Sequence, residues 1–379
     1  MTPTRVLVAG VSTRGFAESA ARAGYDVLAV DGFGDLDLRA CARAVLVART
    51  EEPGGGRFSV PAALRAAGDV ACEAVCYVAS FENHPHAVAV LARRGTLWGN
   101  PPAVLRRVRD PVRLARVLTA HGLPAPAVRL SAPRPPARTR WLVKPRASGG
   151  GSGITPWCGR RVPARSYLQQ WIAGVPGSVV FAADGRRAVP LGVSRLLAGD
   201  RAFGAGPFRY CGNILGGADA GLAAIAGRIA ALVTREFRLV GVNGIDFVTR
   251  RGVPYPLEVN PRYTAALELV ERAHNLGIFE THARACAGEL PESPPRRRPG
   301  VIGKAIVYAR RNVVIGDTSG WLEDESVRDI PSPGQRIRRG HPVCTVFAHA
   351  PDPAACHAAL VRRAGAVYQE IEARERRIA

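Results

Sequence analysis

The stretch Trp141-Leu-Val-Lys-Pro-Arg-Ala-Ser-Gly-Gly-Gly-Ser-Gly153 sets a lysine at the end of an apolar strand and a glycine-rich loop directly behind it. Only two of the 52 basic residues are lysines, Lys144 and Lys304. Arginine's planar fork and lysine's compact ammonium are not interchangeable beside a phosphate. A lysine kept at the mouth of a loop able to wrap anions with its own amides points to nucleoside triphosphate chemistry. Ser148, Gly149, Gly150, Gly151, Ser152 and Gly153 are the loop residues that would close over the phosphates. Read alone, the segment is equally compatible with a hairpin glycine loop and a chance lysine.

A second segment, about a hundred residues on, supports the phosphate reading. Asp246 stands in Val-Asn-Gly-Ile-Asp-Phe-Val248, and Glu258 and Asn260 stand in Pro-Leu-Glu-Val-Asn-Pro-Arg262. Glu258 and Asn260 are two apart, so on a strand they share a face. A hairpin turning at Arg250-Arg-Gly-Val253 would bring Asp246 beside them. Two carboxylates and an amide oxygen make a hard-oxygen set suited to Mg²⁺ that also touches substrate phosphates. Arg262 follows two residues later, where it can neutralise a transferring phosphoryl group or an oxyanion. The competing reading is a solvated hairpin with surface charges, because Leu257 and Val259 alternate as in a half-buried strand.

Composition bounds the rest. The 379 residues, 47% hydrophobic, suffice for two or three domains around a large core. No run approaches a membrane span of roughly 18 apolar residues. A strand beginning near Arg5 is read as leaving no room for a signal peptide, and the scattered cysteines as reduced thiols of a cytoplasmic protein. The net charge of +21 would suit nucleic acid, but the arginines are spread out apart from Arg296-Arg297-Arg298, and aromatic residues are only 6%. Nucleic-acid binding is therefore disfavoured, and attraction of anionic substrates is a sufficient use for the field.

Residues 1–100 alternate apolar strands with helices, the signal of a parallel sheet whose strand C-termini line a crevice. Gly10–Gly15, Asp31 and Ser80-Phe-Glu-Asn-His-Pro-His86 are the crevice candidates. The Gly10 loop with Asp31 is also a weak dinucleotide fingerprint, which makes NAD a rival ligand for this domain. His84 and His86 read as solvated. Pro- and Arg-rich breaks at 131–140 and 291–299 bracket a mixed region. A strand-rich unit and a closing helix, Pro353–Ile378, follow.

In this order and at this spacing, the segments resemble the ATP-grasp superfamily, in which two lobes clamp ATP between antiparallel sheets. The resemblance implies an α/β chain with a Rossmann-like domain at 1–100, a two-lobed grasp domain (α+β) at 101–292 and a small strand-rich domain at 300–379. It assigns ATP and two magnesium ions, manganese being an alternative. Lys144 and the glycine loop take the phosphates, Asp246, Glu258 and Asn260 take the metal, and Arg262 and Lys144 are catalytic. It makes Gln169, Gln170, Trp171 and Ile172 the adenine-reading hinge and Arg195 a γ-phosphate contact. Arg195 is equally readable as a surface arginine. The usual lysine beside an aspartate is replaced by Arg109-Asp110-Pro111, so Arg109 or Arg113 substitutes or the first cation is missing. The ribose contact stays unassigned.

The layout is most similar to biotin carboxylase and to predicted carboligases related to it. Biotin carboxylase carries a glutamate base four residues after its catalytic arginine, where this chain has Ala266. Its biotin-site arginine would fall near Ala309, with Arg310 one place off. That departure disfavours carboxylation. The expected activity is ATP-dependent ligation of a small carboxylate to an amine through an acyl phosphate. A glutamyl-type ligation in pterin- or furan-linked one-carbon metabolism is the pathway expectation. Phe203–Tyr210 is expected to shape the acceptor pocket, with Glu82, Arg209, Tyr210 and Lys304 as substrate contacts. Lys304 is equally readable as half of a structural ion pair. Alternatives are a biotin-carboxylase-like carboxylase, an ATP-binding protein without turnover, and a nucleic-acid-binding protein. A homodimer is allowed for.

Overall fold

The computed structural model describes residues 3–50, 57–68, 70–131, 139–293, 295 and 299–378, with side chains described to residue 373. Most of the break at 131–140 and the run Arg296–Arg298 lie outside the described residues.

Five short strands, Arg5–Ala9, Asp26–Asp31, Ala44–Val47, Ala74–Tyr77 and Thr96–Leu97, form the expected parallel sheet. Their spatial order is third, second, first, fourth, fifth, so the direction of winding reverses between the first and fourth. Ligands of such sheets sit outside the strand C-termini at that switch. The loops after Ala9 and after Tyr77 flank it, which is where Glu82 and Asn83 emerge.

Asp110 accepts from the amides of Val112 and Arg113, capping helix Pro111–Ala120, and Gly122 ends the turn at φ +70°. Beyond it lie two antiparallel sheets. The smaller has four strands in the order Val128–Arg129, Ser166–Gln170, Trp141–Pro145 and Thr155–Pro156. The larger has eight strands and carries Val240–Arg250 and Val253–Asn260 at one edge. The hairpin turns at Arg251 and Gly252, both with positive φ (52° and 77°), the pairing that lets two strands join through two residues. Helix Ala220–Phe237 covers the outer face of this sheet. It buries Ile229, Val233 and Phe237 against Phe181, Ile245 and Phe247. At roughly 1.5–3 kcal/mol for each large apolar side chain, that contact fixes which face of the hairpin is left for chemistry.

The C-terminal unit begins after the second proline-arginine break, but its strands Val301–Tyr308 and Pro342–Ala350 continue the eight-stranded sheet through Tyr210–Leu215. The break interrupts the chain and not the sheet. Its core nevertheless forms a separate apolar cluster, in which Leu360 and Ala364 of helix Pro353–Ile378 pack on Val307 and Val346.

Candidate functional site

A cleft of about 1140 Å³ runs between the parallel sheet, the two antiparallel sheets and the C-terminal strands. Asp246 pairs directly opposite Glu258, and Gly244 opposite Asn260, so all three side chains stand on one face. Asn260 donates from Nδ2 to Asp246 Oδ2 at 2.9 Å. Lys144 reaches the same place from the smaller sheet. It is buried, and its Nζ donates to Gln169 Oε1 at 3.1 Å, while Gln169 Nε2 donates to the Leu257 carbonyl at 3.0 Å. One amide thus links the lysine to the residue preceding Glu258, and the ammonium and the carboxylates face the same space.

The choice between Arg109 and Arg113 is decided by geometry. Arg109 Nη1 donates to Glu258 Oε2 at 3.2 Å and to the Val259 carbonyl at 3.0 Å, and Nη2 donates to Asn83 Oδ1 at 3.0 Å. Arg113, at the first turn of its helix, is exposed and lies over the Phe237 ring. Arg109 lines a small cavity of about 30 Å³ together with Lys144, Ser148, Gly149, Tyr167 and Glu258, which is room for one water-sized group.

Opposed charges set the protonation. Burial raises Glu258, but Arg109 and Lys144 outweigh it and hold the carboxyl below its ordinary value. Asp246 has no cation in direct contact, and burial and then the Glu258 charge push it up to about 6. Its proton is held more tightly in the folded chain, so its contribution to stability is present in acid and is lost as pH rises from near 3.8 through about 6. A divalent cation must displace that proton. The affinity for Mg·AMPPNP is therefore expected to weaken as pH falls through about 6, and Asp246→Asn to flatten this dependence. Titration calorimetry at several pH values checks both.

The described residues fit a metal and a triphosphate. Two carboxylates and an amide crowd together, with one acid raised by burial and by its neighbour's charge. Among the described residues no group of three or more His, Cys, Asp or Glu could hold a metal, so an ion here would share oxygens with phosphate. Gly149–Ser152 lines the cleft and Ser148 the small cavity, while Gly153 lines neither; Ser148's carbonyl accepts from Asn83 Nδ2 and Arg109 Nη2, each at 3.4 Å. Tyr210 donates its amide to the Gly150 carbonyl at 3.0 Å, so the loop is closed onto Pro207–Tyr210. A Cβ on Gly151 would stand 1.8 Å from the Phe208 carbonyl oxygen, so only glycine permits this approach.

Arg262 Nε and Nη2 both donate to Glu82 Oε1, at 3.0 and 2.8 Å, and Nη2 also reaches Asn260 Oδ1 at 3.3 Å. Glu82, expected to contact substrate, is 1% exposed and holds Arg262 in place from the first domain. Arg209 lines the cleft over the Tyr308 ring, and the Tyr210 hydroxyl donates to Asn213 Oδ1 at 2.5 Å.

Several expectations are corrected. Arg195 is exposed, on the opposite face of its strand from Ser194 and Leu196, which turn inward to the Asn213 network and to the cleft. It does not reach the phosphate region. Arg195→Gln is expected to leave Mg·ATP affinity and turnover within about twofold, as for an ordinary surface change, checked by the same titration and by ADP release. Gln169 and Gln170 line the cleft, and the side-chain oxygen of each already accepts a hydrogen bond, Gln169 as above and Gln170 Oε1 from the Ala127 amide at 3.2 Å. Trp171 and Ile172 also line the cleft. Lys304 lines it too, but its ammonium bonds Glu268 at 2.5 Å, with Arg14 on the same carboxylate. The ion-pair alternative is the one realised. The NAD reading fails: Asp31 is fully buried and accepts the amides of Thr13, Phe33 and Gly34 and the Thr13 hydroxyl, leaving nothing for a ribose. His84 and His86 are exposed, as expected. Arg310 binds the Ala202 carbonyl and stacks on Tyr368, outside the cleft, while Ala266 lines it.

The sequence profile of the ATP-grasp domain family matches residues 108–266. Among curated proteins, the uncharacterized protein MJ0776 of Methanocaldococcus jannaschii is 28% identical over 118 residues, which is 31% of this chain and 28% of that protein. Solved structures share the fold. Biotin carboxylase of Campylobacter jejuni, in complex with β,γ-ATP, superposes with a TM-score of 0.71 at 14% identity, covering 94% of this chain and 89% of the other. The L-amino acid ligase of Bacillus licheniformis gives 0.67 at 14%, covering 96% and 98%. Pyruvate carboxylase of Rhizobium etli gives 0.70 at 15%, covering 95% of this chain, which spans only 37% of that longer protein. Among the described residues no helix is long and apolar enough to cross a membrane.

Proposed function

We propose, from the ATP-grasp domain that residues 108–266 match, that this chain is an ATP-dependent carboxylate–amine ligase. The observation that carries the proposal is the meeting of Lys144, Arg109, Glu258, Asp246, Asn260 and Arg262 at one cleft. ATP is its nucleotide. Asp246, Glu258 and Asn260 would hold the divalent ions, whose chemistry when bound is to offset charge on the β- and γ-phosphates.

The chain's own residues do the rest. Lys144 and Arg109 orient the phosphates in line with the substrate carboxylate, and the closed glycine loop keeps water away. The carboxylate oxygen attacks the γ-phosphorus, ADP leaves, and an acyl phosphate remains. Arg262, clamped by Glu82, faces the negative charge that develops as the amine nitrogen attacks the acyl carbon and phosphate departs. Such a clamp leaves little freedom to reorganise during the step.

Ligation is favoured over carboxylation by Ala266. No carboxylate stands there to deprotonate bicarbonate or biotin, and Arg310 is turned away from the cleft. A glutamyl-type transfer in one-carbon cofactor assembly remains our pathway reading, resting on the family resemblance. The test is release of ADP and phosphate that requires both a carboxylate and an amine. Bicarbonate-dependent ADP release with free biotin and no amine would overturn the ligase in favour of the carboxylase.

A further inference from the structure

Between the first domain and the C-terminal strands, Asp35, Glu268 and Asp329 line the cleft and Asp37 stands behind them, making four neighbouring carboxylates. Three of them are matched. Glu268 takes Arg14 Nη1 and Lys304 Nζ, both at 2.5 Å, with Arg272 at 3.7 Å. Asp329 takes Arg14 Nε at 2.9 Å, and Asp37 accepts the amides of Asp329 and Ile330 at 2.8 and 3.1 Å, with Arg14 at 3.5 Å. Asp35 differs. It is 6% exposed and lines the cleft, and among the described residues its carboxylate has neither a hydrogen bond nor an ion pair. Arg14 acts on all four, and Asp35, the one that no cation contacts directly, opens on the cleft.

Its oxygens are open to the cleft, so they depend on solvent or on a bound group there for hydrogen bonds that the chain itself does not supply. Burial and the charges of Asp329, Asp31 and Asp37 push this carboxyl well above its ordinary value, against the opposing pull of Arg14, which is shared with the other three carboxylates. The loop that holds it is not slack. Leu36 donates its amide to the Ile330 carbonyl at 2.8 Å, tying it to the C-terminal strands. A metal is a poor candidate, since no group of three metal-ligating acids, histidines or cysteines surrounds it among the described residues.

We propose that Asp35 is the seat of a cationic nitrogen, an alkylammonium or guanidinium, on the amine-bearing substrate. This rests on the ligase reading for the presence of such a substrate, and it assigns recognition to Asp35, not proton transfer.

The test uses the full chain saturated with Mg·AMPPNP and titrated calorimetrically with 1,4-diaminobutane, with butane-1,4-diol as the neutral match. The diamine should bind, the diol should not, and Asp35→Asn should weaken the diamine by at least about tenfold, as expected when one partner of a desolvated charge pair is removed. Melting of the ligand-free protein is the second measurement. Asp35→Asn should melt at the same or a higher temperature, because it removes an unmatched charge. The proposal is overturned if the wild type does not take the diamine, if Asp35→Asn binds it within about twofold, or if the variant melts lower or fails to fold. Loss of Mg·AMPPNP binding would count against the ligase reading separately, since the diamine titration can be repeated without nucleotide.

Discussion

Glu258→Gln should leave a folded protein whose turnover falls by on the order of 10²–10³, the size expected when one preorganised charge-stabilising group is removed. The substitution keeps the shape of the side chain and takes away one charge. That charge is matched by Arg109 Nη1 at 3.2 Å and acts on Lys144 and Asp246 as well. Without it the metal set keeps one carboxylate, Arg109 loses its ion partner, and Asp246 is relieved of the neighbour that raises it. The residue sits at a sheet edge with its side chain partly exposed to the cleft, so the protein is expected to fold without its charge. ADP release measures the loss of turnover, and thermal melting checks that the fold survives. Activity within about tenfold of wild type would mean that these carboxylates are only the polar face of a hairpin.

Gly151→Ala should be nearly as damaging, through a different cause. The backbone there has φ +76°, which costs an L-residue roughly 1–2 kcal/mol, and the new Cβ would lie 1.8 Å from the Phe208 carbonyl oxygen. No rotamer relieves an overlap between Cβ and backbone, so the loop must leave Tyr210. If its amides each contribute about 1.5–3 kcal/mol to a bound phosphate, Mg·ATP affinity should drop about 10- to 100-fold. Gly149→Ala adds the same methyl to the same loop without meeting the chain, since nothing lies within 4 Å of a Cβ there, and so separates the Phe208 overlap from added bulk, with a smaller loss expected. Calorimetric titration of both variants with Mg·AMPPNP checks this. Equal affinities would mean that the closed loop is not the form that holds nucleotide.

The elements that read clearly from the sequence are those where one local rule governs. Alternation along Val253–Asn260 puts Glu258 and Asn260 on one face, and a two-residue turn fixes the register that brings Asp246 beside them. The closing helix Pro353–Ile378 has the bounds its pattern implies. Arg195 misleads because a single position of parity decides which face a strand residue takes, and nothing nearby in the chain labels the inner face. Asp31 looks like a ribose acid because spacing does not reveal that four donors of its own loop converge on it.

What the sequence determined by itself was the parallel first domain, the lysine before a glycine loop, and a face of hard oxygens. Each follows from periodicity or from the few residue types a given chemistry accepts. Which arginine enters the cleft, whether Lys304 meets a substrate or Glu268, and that Asp35 alone of the four neighbouring carboxylates lacks a direct partner were decided only when distant segments packed together. Ion pairing and desolvation depend on distances of a few ångströms between residues up to about three hundred positions apart, and no local pattern encodes those.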